Sequence, residues 1–196
     1  VGGAGIYITN SNPIINHMTI INNDRGGMTI GDGWCENENS NIVMNDVLIE
    51  NNTWGSIKII CSNAILTNVI INNNASEWTP GLIVSGGQIS LNDVSITNNT
   101  NVMNGYWGWT SNGGGISISD GAYGVGSYVE MSNVLISGNQ AGGGAGMSIG
   151  GSDVVVNMDD VTISNNIAHG DDIGGQTHSG GGMKIDDRSI VNGKNL

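Results

Sequence analysis

Positively charged residues are scarce in this sequence. Its 196 residues include 5 Lys and Arg against 17 Asp and Glu, which gives a formal net charge of -12. Because polyanions repel such a chain, nucleic acid and anionic membrane surfaces are excluded as partners. No apolar run approaches the length that spans a bilayer, so we expect no membrane insertion by this segment.

Proline and cysteine are equally rare. Two Pro beside 33 Gly, without a G-X-Y period, exclude collagen. Cys35 and Cys61 form no C-x-x-C motif, which argues against a cysteine metal site. The chain is instead rich in asparagine, with 29 residues, and in Gly, Ser and Thr. This composition is typical of extracellular surfaces, so we expect a secreted or cell-surface protein.

Two short motifs alternate along the chain. The first, apolar-x-(Asn/Asp/His)-(Val/Met)-x-Ile-x-x-Asn, occurs six times, from residues 15–23 to residues 158–166. The second, (Gly/Ser)-(Ile/Met/Leu)-x-(Ile/Val), occurs seven times, and its copies are spaced by 22, 29, 25, 34, 31 and 36 residues. A constant core with connections of variable length indicates stacked coils with insertions on one side.

Both motifs alternate apolar and polar residues with the period of a β-strand, and helical periodicity is nowhere sustained. We expect three strands in each coil, such as residues 28–30, 42–44 and 47–49 in the second coil. Strands this short bury their apolar side chains only against equivalent strands about 4.8 Å above and below. The sequence therefore predicts an all-β fold: a right-handed, single-stranded parallel β-helix of about seven coils with three parallel sheets, forming one domain over residues 1–196.

One position in each copy of the first motif breaks the alternation. Asn, Asp or His stands there, and because Asn and Asp tolerate the left-handed conformation we predict a sharp corner at this position. The six corner residues are His17, Asp46, Asn68, Asp93, Asn133 and Asp160. The last residue of the motif is always Asn, and we predict that it turns inward and satisfies backbone groups at the next corner. This structural asparagine ladder consists of Asn23, Asn52, Asn74, Asn99, Asn139 and Asn166.

The motifs resemble a bacterial surface repeat. GGAGI (residues 2–6), GGGI (residues 113–116) and GGAGM (residues 143–147) are similar to its GGA-(I/L/V) half. IINN (residues 20–23) and its copies are similar to its F-x-x-N half, with Ile in place of Phe. The chain thus resembles the polymorphic outer-membrane protein repeats, within the pectate-lyase-like group of right-handed β-helices. This resemblance implies a secreted passenger or surface protein, often an adhesin.

No catalytic residue is assigned from the sequence. Enzymes of the pectate-lyase-like group carry their sites on the sheet that would hold the glycine motif here, and the outward positions of that motif include no carboxylate. These positions are Tyr7, Thr29, Lys58, Ile83, Ser117, Ser148 and Lys184. Glycoside hydrolysis usually needs two acids, so a polysaccharide lyase or glycoside hydrolase is the less favoured interpretation. We expect no cofactor unless Asp171 and Asp172 bind Ca²⁺, and a solvated acidic loop is the alternative.

Other candidate residues lie in the connections. An aromatic insertion, residues 104–110, contains Tyr106, Trp107 and Trp109, which we interpret as glycan-binding or interface residues, or as a cover for the flank of the barrel. Cys35 and Cys61 follow the glycine-motif strands of neighbouring coils. A disulfide between them is geometrically plausible, and two free thiols are the alternative.

Two functions follow as expectations. The first is an extracellular structural or adhesive β-helix, a surface-fibre building block or passenger segment that forms a homo-oligomer or filament. It would self-associate through ends without a capping helix, or through the half-apolar outward column of Thr19, Leu48, Ile70, Ser95, Leu135 and Thr162. The alternative is a module that binds or cleaves polysaccharide or host glycan with the glycine-motif sheet and residues 104–110. Because the chain starts inside a coil, we also expect a removed leader or a longer parent chain.

Overall fold

The computed structural model of the protein describes residues 4–31, 35, 40–102, 113–169 and 180–195. These residues form a right-handed parallel β-helix of stacked coils, as predicted. Three sheets run along the helix, and every strand within a sheet pairs in parallel with the equivalent strand of the next coil. The one helical element in the described ranges is a 3-10 turn at Ala122–Gly124.

Two of the sheets contain seven strands each. The glycine-motif sheet consists of β1 (Ile6–Ile8), β3 (Met28–Ile30), β5 (Ile57–Ile60), β8 (Leu82–Ser85), β11 (Ile116–Ser119), β14 (Met147–Gly150) and β17 (Met183–Ile185). The long sheet consists of β2 (Ile14–Ile21), β4 (Asn41–Glu50), β6 (Asn63–Asn72), β9 (Gly87–Thr97), β12 (Ser127–Ser137), β15 (Val154–Ser164) and β18 (Ile190–Lys194). The short sheet consists of β7 (Ala75–Ser76), β10 (Thr100–Asn101), β13 (Gln140–Ala141) and β16 (Ile167–Ala168).

The motif copies stack residue on residue, as their alignment in the sequence predicts. In the glycine-motif sheet one column of paired residues contains Ile6, Met28, Ile57, Leu82, Ile116, Met147 and Met183. In the long sheet the first apolar residues of the six motif copies pair in the same way. The repeat therefore fixes the register of every coil, because a shift by one residue would turn the apolar set outward.

The strand division within a coil differs from the prediction. Residues 42–44 and 47–49, predicted as two strands, belong to the single strand β4, which bends at Asp46. We call the residues before this bend the first limb of the long sheet and those after it the second limb. The third sheet is instead the short one, formed by residues that follow the ladder asparagines. The bend leaves the strand intact because one left-handed residue redirects the chain while its neighbours stay paired, as Asn45 with Thr67 and Val47 with Val69.

The corner prediction itself is confirmed. All six corner residues have positive φ, between 51° and 56°. A second left-handed residue, which the sequence analysis did not assign, stands immediately before each ladder asparagine: Asn22, Asn51, Asn73, Asn98, Gly138 and Asn165. In four of the six coils the second limb thus begins after an Asn or Asp with positive φ and ends at an Asn with positive φ. These corner positions account for much of the asparagine content.

Close packing requires the glycine of the second motif at Gly115 and Gly146. A Cβ on Gly115 would lie 2.8 Å from Ile136 Cγ2 and 3.0 Å from the Asn139 side-chain nitrogen. A Cβ on Gly146 would lie 2.8 Å from the equivalent nitrogen of Asn166. Distances this short leave no room for a side chain, so the glycine motif and the asparagine ladder are packed against each other across the interior.

Inward side chains of all coils form one continuous apolar core. Each coil contributes residues such as Ile30, Met44 and Ile49, none of which is exposed. Residues one position along the chain point outward, so neighbouring isoleucines of β6 differ sharply: Ile71 is 0% exposed and Ile70 is 44% exposed. This contrast provides a direct test of the register.

We predict that Ile71→Ala lowers the free energy of unfolding by about 2–5 kcal/mol, because it removes buried apolar volume and leaves a cavity. The matched control is Ile70→Ala, one residue away, which should change it by less than about 0.5 kcal/mol. Urea denaturation monitored by circular dichroism measures both values. Equal effects of the two substitutions would contradict the register.

Candidate functional site

The asparagine ladder lies in the interior of the coil stack. The side-chain oxygen of Asn74 accepts hydrogen bonds from the backbone N–H of Asn52 at 2.9 Å and from its side-chain amide at 3.0 Å. The same pair of bonds joins Asn74 to Asn99 and Asn99 to Asn139. Each amide also donates to a backbone carbonyl of the previous coil, as Asn99 does to Ile71 at 3.1 Å. These side chains are saturated by the scaffold, so we assign them a structural role.

We predict that Asn99→Asp destabilises the protein by roughly 3–5 kcal/mol at pH 7, because a buried carboxylate would face the Ile71 carbonyl without the lost amide donors. Burial raises the pKa of the new carboxyl above its unfolded value, so the penalty should grow as pH rises above about 4 and be smallest below it, where both states are protonated. The control is Asn98→Asp, at the adjacent exposed corner.

Thermal and urea unfolding of the two variants between pH 3 and pH 8 measures the difference. A penalty for Asn99→Asp that matches that of Asn98→Asp at every pH would show that the ladder carries no buried, pH-sensitive contact.

The two cysteines are joined in a disulfide. Cys35 lies in the connection between β3 and β4, Cys61 follows β5 one coil further along, and their Cα atoms are 5.1 Å apart. A covalent closure over a sequence separation of 26 contributes about 3 kcal/mol by restricting the unfolded chain. Disulfides persist in oxidising compartments, so this bond is compatible with a secreted or extracellular protein. No helix in the described ranges has the length and apolarity to cross a membrane.

An aromatic flank, which we define as Trp54 and Trp78, occupies consecutive turns between the short sheet and the glycine-motif sheet. The two side chains are 64% and 61% exposed. Their backbones are fixed: the Trp78 N–H donates to Ser76 Oγ at 3.0 Å, and its carbonyl accepts from the Asn101 side chain. In the turn next to Trp54, the Gly55 N–H donates to the Ala75 carbonyl at 3.1 Å. The flank is therefore a pair of solvent-facing indoles on a fixed backbone.

All five predicted ligand residues lie outside the described part of the chain. Tyr106, Trp107 and Trp109 belong to the insertion that follows Val102. Asp171 and Asp172 also lie outside it. Among the described residues, no three His, Cys, Asp or Glu side chains are close enough together to hold a metal ion. Ca²⁺ binding by Asp171 and Asp172 stays a prediction.

An open groove with polar and apolar lining side chains runs along the outer face of the first limb of the long sheet. Its volume is about 630 Å³. Two outward columns line it, one residue from each of five coils in each column. The first column contains Ile65, Ser90, Glu130, Asn157 and Asn192, and the second contains Thr67, Asn92, Ser132, Asp159 and Lys194.

A directed chain of hydrogen bonds orders one side of this groove. The Asn192 amide donates to the Asn157 side-chain oxygen at 2.8 Å, and the Asn157 amide donates to the Tyr128 hydroxyl at 2.9 Å. The Tyr128 hydroxyl donates in turn to Glu130 Oε1 at 2.9 Å. This last bond raises the pKa of Tyr128, so the phenol stays protonated and continues to donate at neutral pH.

The second carboxylate of the groove is held separately. Asp159 Oδ2 lies 3.1 Å from Lys194 Nζ, and Asp159 Oδ1 accepts from the Asn195 amide at 3.2 Å. This groove was not predicted from the sequence, because its residues lie on the first limb, and only the outward residues of the glycine-motif strands and of the second limb had been interpreted. The signal was present in the alternation of β9, β12 and β15, whose first limbs place polar residues at every outward position of the groove.

Comparison with known proteins gives no relative: no family model, no curated protein and no solved structure matches the chain. The parallel β-helix therefore stands on the geometry of the chain itself.

Proposed function

We propose that the protein is an extracellular adhesive β-helix that binds polysaccharide through its aromatic flank. The exposure of Trp54 and Trp78 is the observation that carries this proposal. Indole rings are large and apolar, and a soluble protein gains nothing by presenting two of them to water from adjacent turns. Aromatic rings held this way stack on the apolar faces of sugar rings or anchor a partner surface.

The position of the flank on the rod supports this function. The two tryptophans come from turns of consecutive coils, and consecutive coils are about one strand spacing apart, ~4.8 Å. In the sequence, Tyr106, Trp107 and Trp109 follow β10, the strand that pairs with β7 in the next coil. The scaffold beneath is held by the disulfide and the ladder, which reduces the conformational entropy lost on binding.

Charge favours an uncharged ligand. The net charge of -12 opposes acidic polysaccharides unless a cation such as Ca²⁺ bridges the two. The disulfide is compatible with secretion, and the resemblance to polymorphic outer-membrane protein repeats supports a passenger or surface segment of an adhesin. Binding without turnover is all that this proposal requires.

The test is binding to insoluble cellulose and chitin, and to polygalacturonate with and without CaCl₂. We expect the wild-type chain to bind at least one uncharged polymer, and Trp54→Ala combined with Trp78→Ala to weaken that binding about tenfold or more. Tyr123→Asn, which removes an exposed aromatic ring from the turn after β11 and keeps a residue that tolerates its positive φ, is the control.

Unchanged binding in the tryptophan variant would contradict the proposal that Trp54 and Trp78 bind the polysaccharide. Loss in Tyr7→Ala instead would assign the ligand to the glycine-motif sheet, where Tyr7 is exposed. Binding to polygalacturonate that appears only with CaCl₂ would support an acidic ligand and a cation site.

Self-association is a second candidate function, favoured by a separate observation. The second limb of the long sheet exposes Ile70 and Leu135 in one outward column, with Ser95 between them, and Ile21 in the next column of the same face. A regular, half-apolar surface fits a second copy of the same surface. We expect Ile70→Thr with Leu135→Thr to lower the mass measured by light scattering from an oligomer to a monomer. A wild-type chain that is monomeric at high concentration would contradict self-association through this face. Filament formation through the ends stays a prediction.

A further inference from the structure

We propose that the groove on the first limb of the long sheet is a second binding site, which takes an uncharged saccharide chain laid along the helix axis. The site is independent of the aromatic flank, because the flank lies in the turns between the short sheet and the glycine-motif sheet and shares no residue with the groove. It is also separate from the glycine-motif sheet. The proposal therefore does not rest on the adhesive function proposed above.

The spacing of the residues that line the groove fits a saccharide chain better than a peptide. The two columns of the groove repeat once per coil, because each lining residue pairs with the equivalent residue of the next coil. Coils are about 4.8 Å apart, whereas side chains on one face of an extended peptide recur only every ~6.7 Å. A peptide running along the groove would lose register within two coils. One pyranose unit of an extended chain advances by about one coil spacing, so each ring meets one residue of each column. In a β-1,4-linked chain alternate rings present the same edge, and they meet the columns at every second coil.

The hydrogen-bonding groups of the groove are of several kinds. Small hydroxyl and amide side chains on β9 and β12 line it, namely Ser90, Asn92 and Ser132. Glu130 on β12 and Asp159 on β15 add carboxylates, and Lys194 lies at the end, on β18. Sugar hydroxyls both donate and accept, so they match a mixture of hydroxyl, amide and carboxylate groups better than an apolar or purely cationic ligand does.

The two carboxylates of the groove are already oriented by neighbouring side chains. The chain Asn192–Asn157–Tyr128–Glu130 points every donor toward Glu130 and engages Oε1 of its carboxylate. Lys194 and Asn195 hold Asp159. Carboxylates fixed in this way accept hydrogen bonds from hydroxyl groups without first losing side-chain entropy, and charged acceptors form the stronger bonds.

Charge excludes the acidic alternative. The three ionisable residues of the groove, Glu130, Asp159 and Lys194, carry a net charge of -1 together, in a chain whose net charge is -12. An anionic sugar chain would be repelled. Stacking is not the means of recognition here, because the lining residues include no aromatic ring. We therefore expect a dissociation constant in the range of about 0.1–1 mM, typical of binding by a few hydrogen bonds.

The experiment is a ¹H–¹⁵N NMR titration of the whole chain with cellohexaose, chitohexaose and xylohexaose, and with hexagalacturonate as the acidic comparison. We expect at least one uncharged hexaose to shift the amide signals of Ser90, Asn92 and Ser132. The hexagalacturonate should leave them unchanged. Shifts that appear only with hexagalacturonate, or no shift at these residues with any hexaose, would overturn the proposal.

Matched substitutions locate the site. Ser132→Trp fills the groove and should abolish the shifts, whereas Ser95→Trp places the same ring on the second limb of the neighbouring coil and should not. Glu130→Gln should weaken binding about tenfold, and Glu50→Gln, the same change outside the groove, should have no effect. Tyr128→Phe keeps the ring but breaks the hydrogen-bond chain, so an intermediate loss is expected from it.

One further arm separates this site from the aromatic flank. The variant Trp54→Ala with Trp78→Ala should bind the hexaose in the groove as the wild type does, even if it no longer binds insoluble polymer. If the hexaose no longer shifts the amide signals of the groove residues in that variant, the groove is not a separate site. If the shifts persist in Ser132→Trp, the hexaose does not bind in the groove. Either result overturns the proposal.

Discussion

No coil of this protein is stable by itself, and the contact between one coil and the next decides the rest of the structure. A strand of three or four residues has two inward side chains, too few to bury one another. Its backbone N–H and C=O groups find partners only in the coils above and below. At the corners, where the strand ladder is interrupted, the stacked asparagines supply the missing partners. The ladder thus continues the hydrogen-bonding of the sheets through the turns.

The corner column shows how charge is accommodated under the same constraint. Residues in this column stack at the coil spacing, and like charges there would repel. Asp and an amide or imidazole alternate instead: His17 lies 3.2 Å from Asp46, and the Asn68 amide donates to Asp46 at 2.6 Å. Asn133 donates to Asp93 in the same way. An acidic chain can therefore stack carboxylates along one edge without placing two of them in direct contact.

Much of the fold could be predicted from the sequence, because the repeat reports the coil stacking directly. The phase break at Asp46 and its equivalents located the left-handed corners, and the motif copies gave the pairing of the coils. The short sheet could not be found, because Ala75–Ser76 and its counterparts are two residues long and show no alternation. The unbroken strand through Asp46 was not predicted. A break in the apolar–polar alternation gives the same sequence pattern whether the strand ends or bends at that residue.

The candidate site was harder to predict than the fold. Trp54 and Trp78 were visible as tryptophans in connections, but only the stacking of the turns shows that they share one edge and face solvent. The groove depends on residues from five coils that lie up to 129 positions apart, from Ile65 to Lys194. Such a surface carries no local motif. It becomes apparent once the register of the long sheet is known, because each residue is ordinary within its own strand.

The stacking of the coils depends most on the asparagine ladder, and hydrogen exchange of the ladder's backbone amides tests this dependence directly. The N–H groups of Asn52, Asn74 and Asn99 lie in turns and donate only to the side-chain oxygen of the next ladder residue. If the ladder forms, these amides should exchange as slowly as those of the buried strand residues Ile71 and Ile96, at a rate set by global unfolding. Exchange as fast as that of the Tyr123 and Gly124 amides, in the exposed 3-10 turn after β11, would show that the ladder does not form.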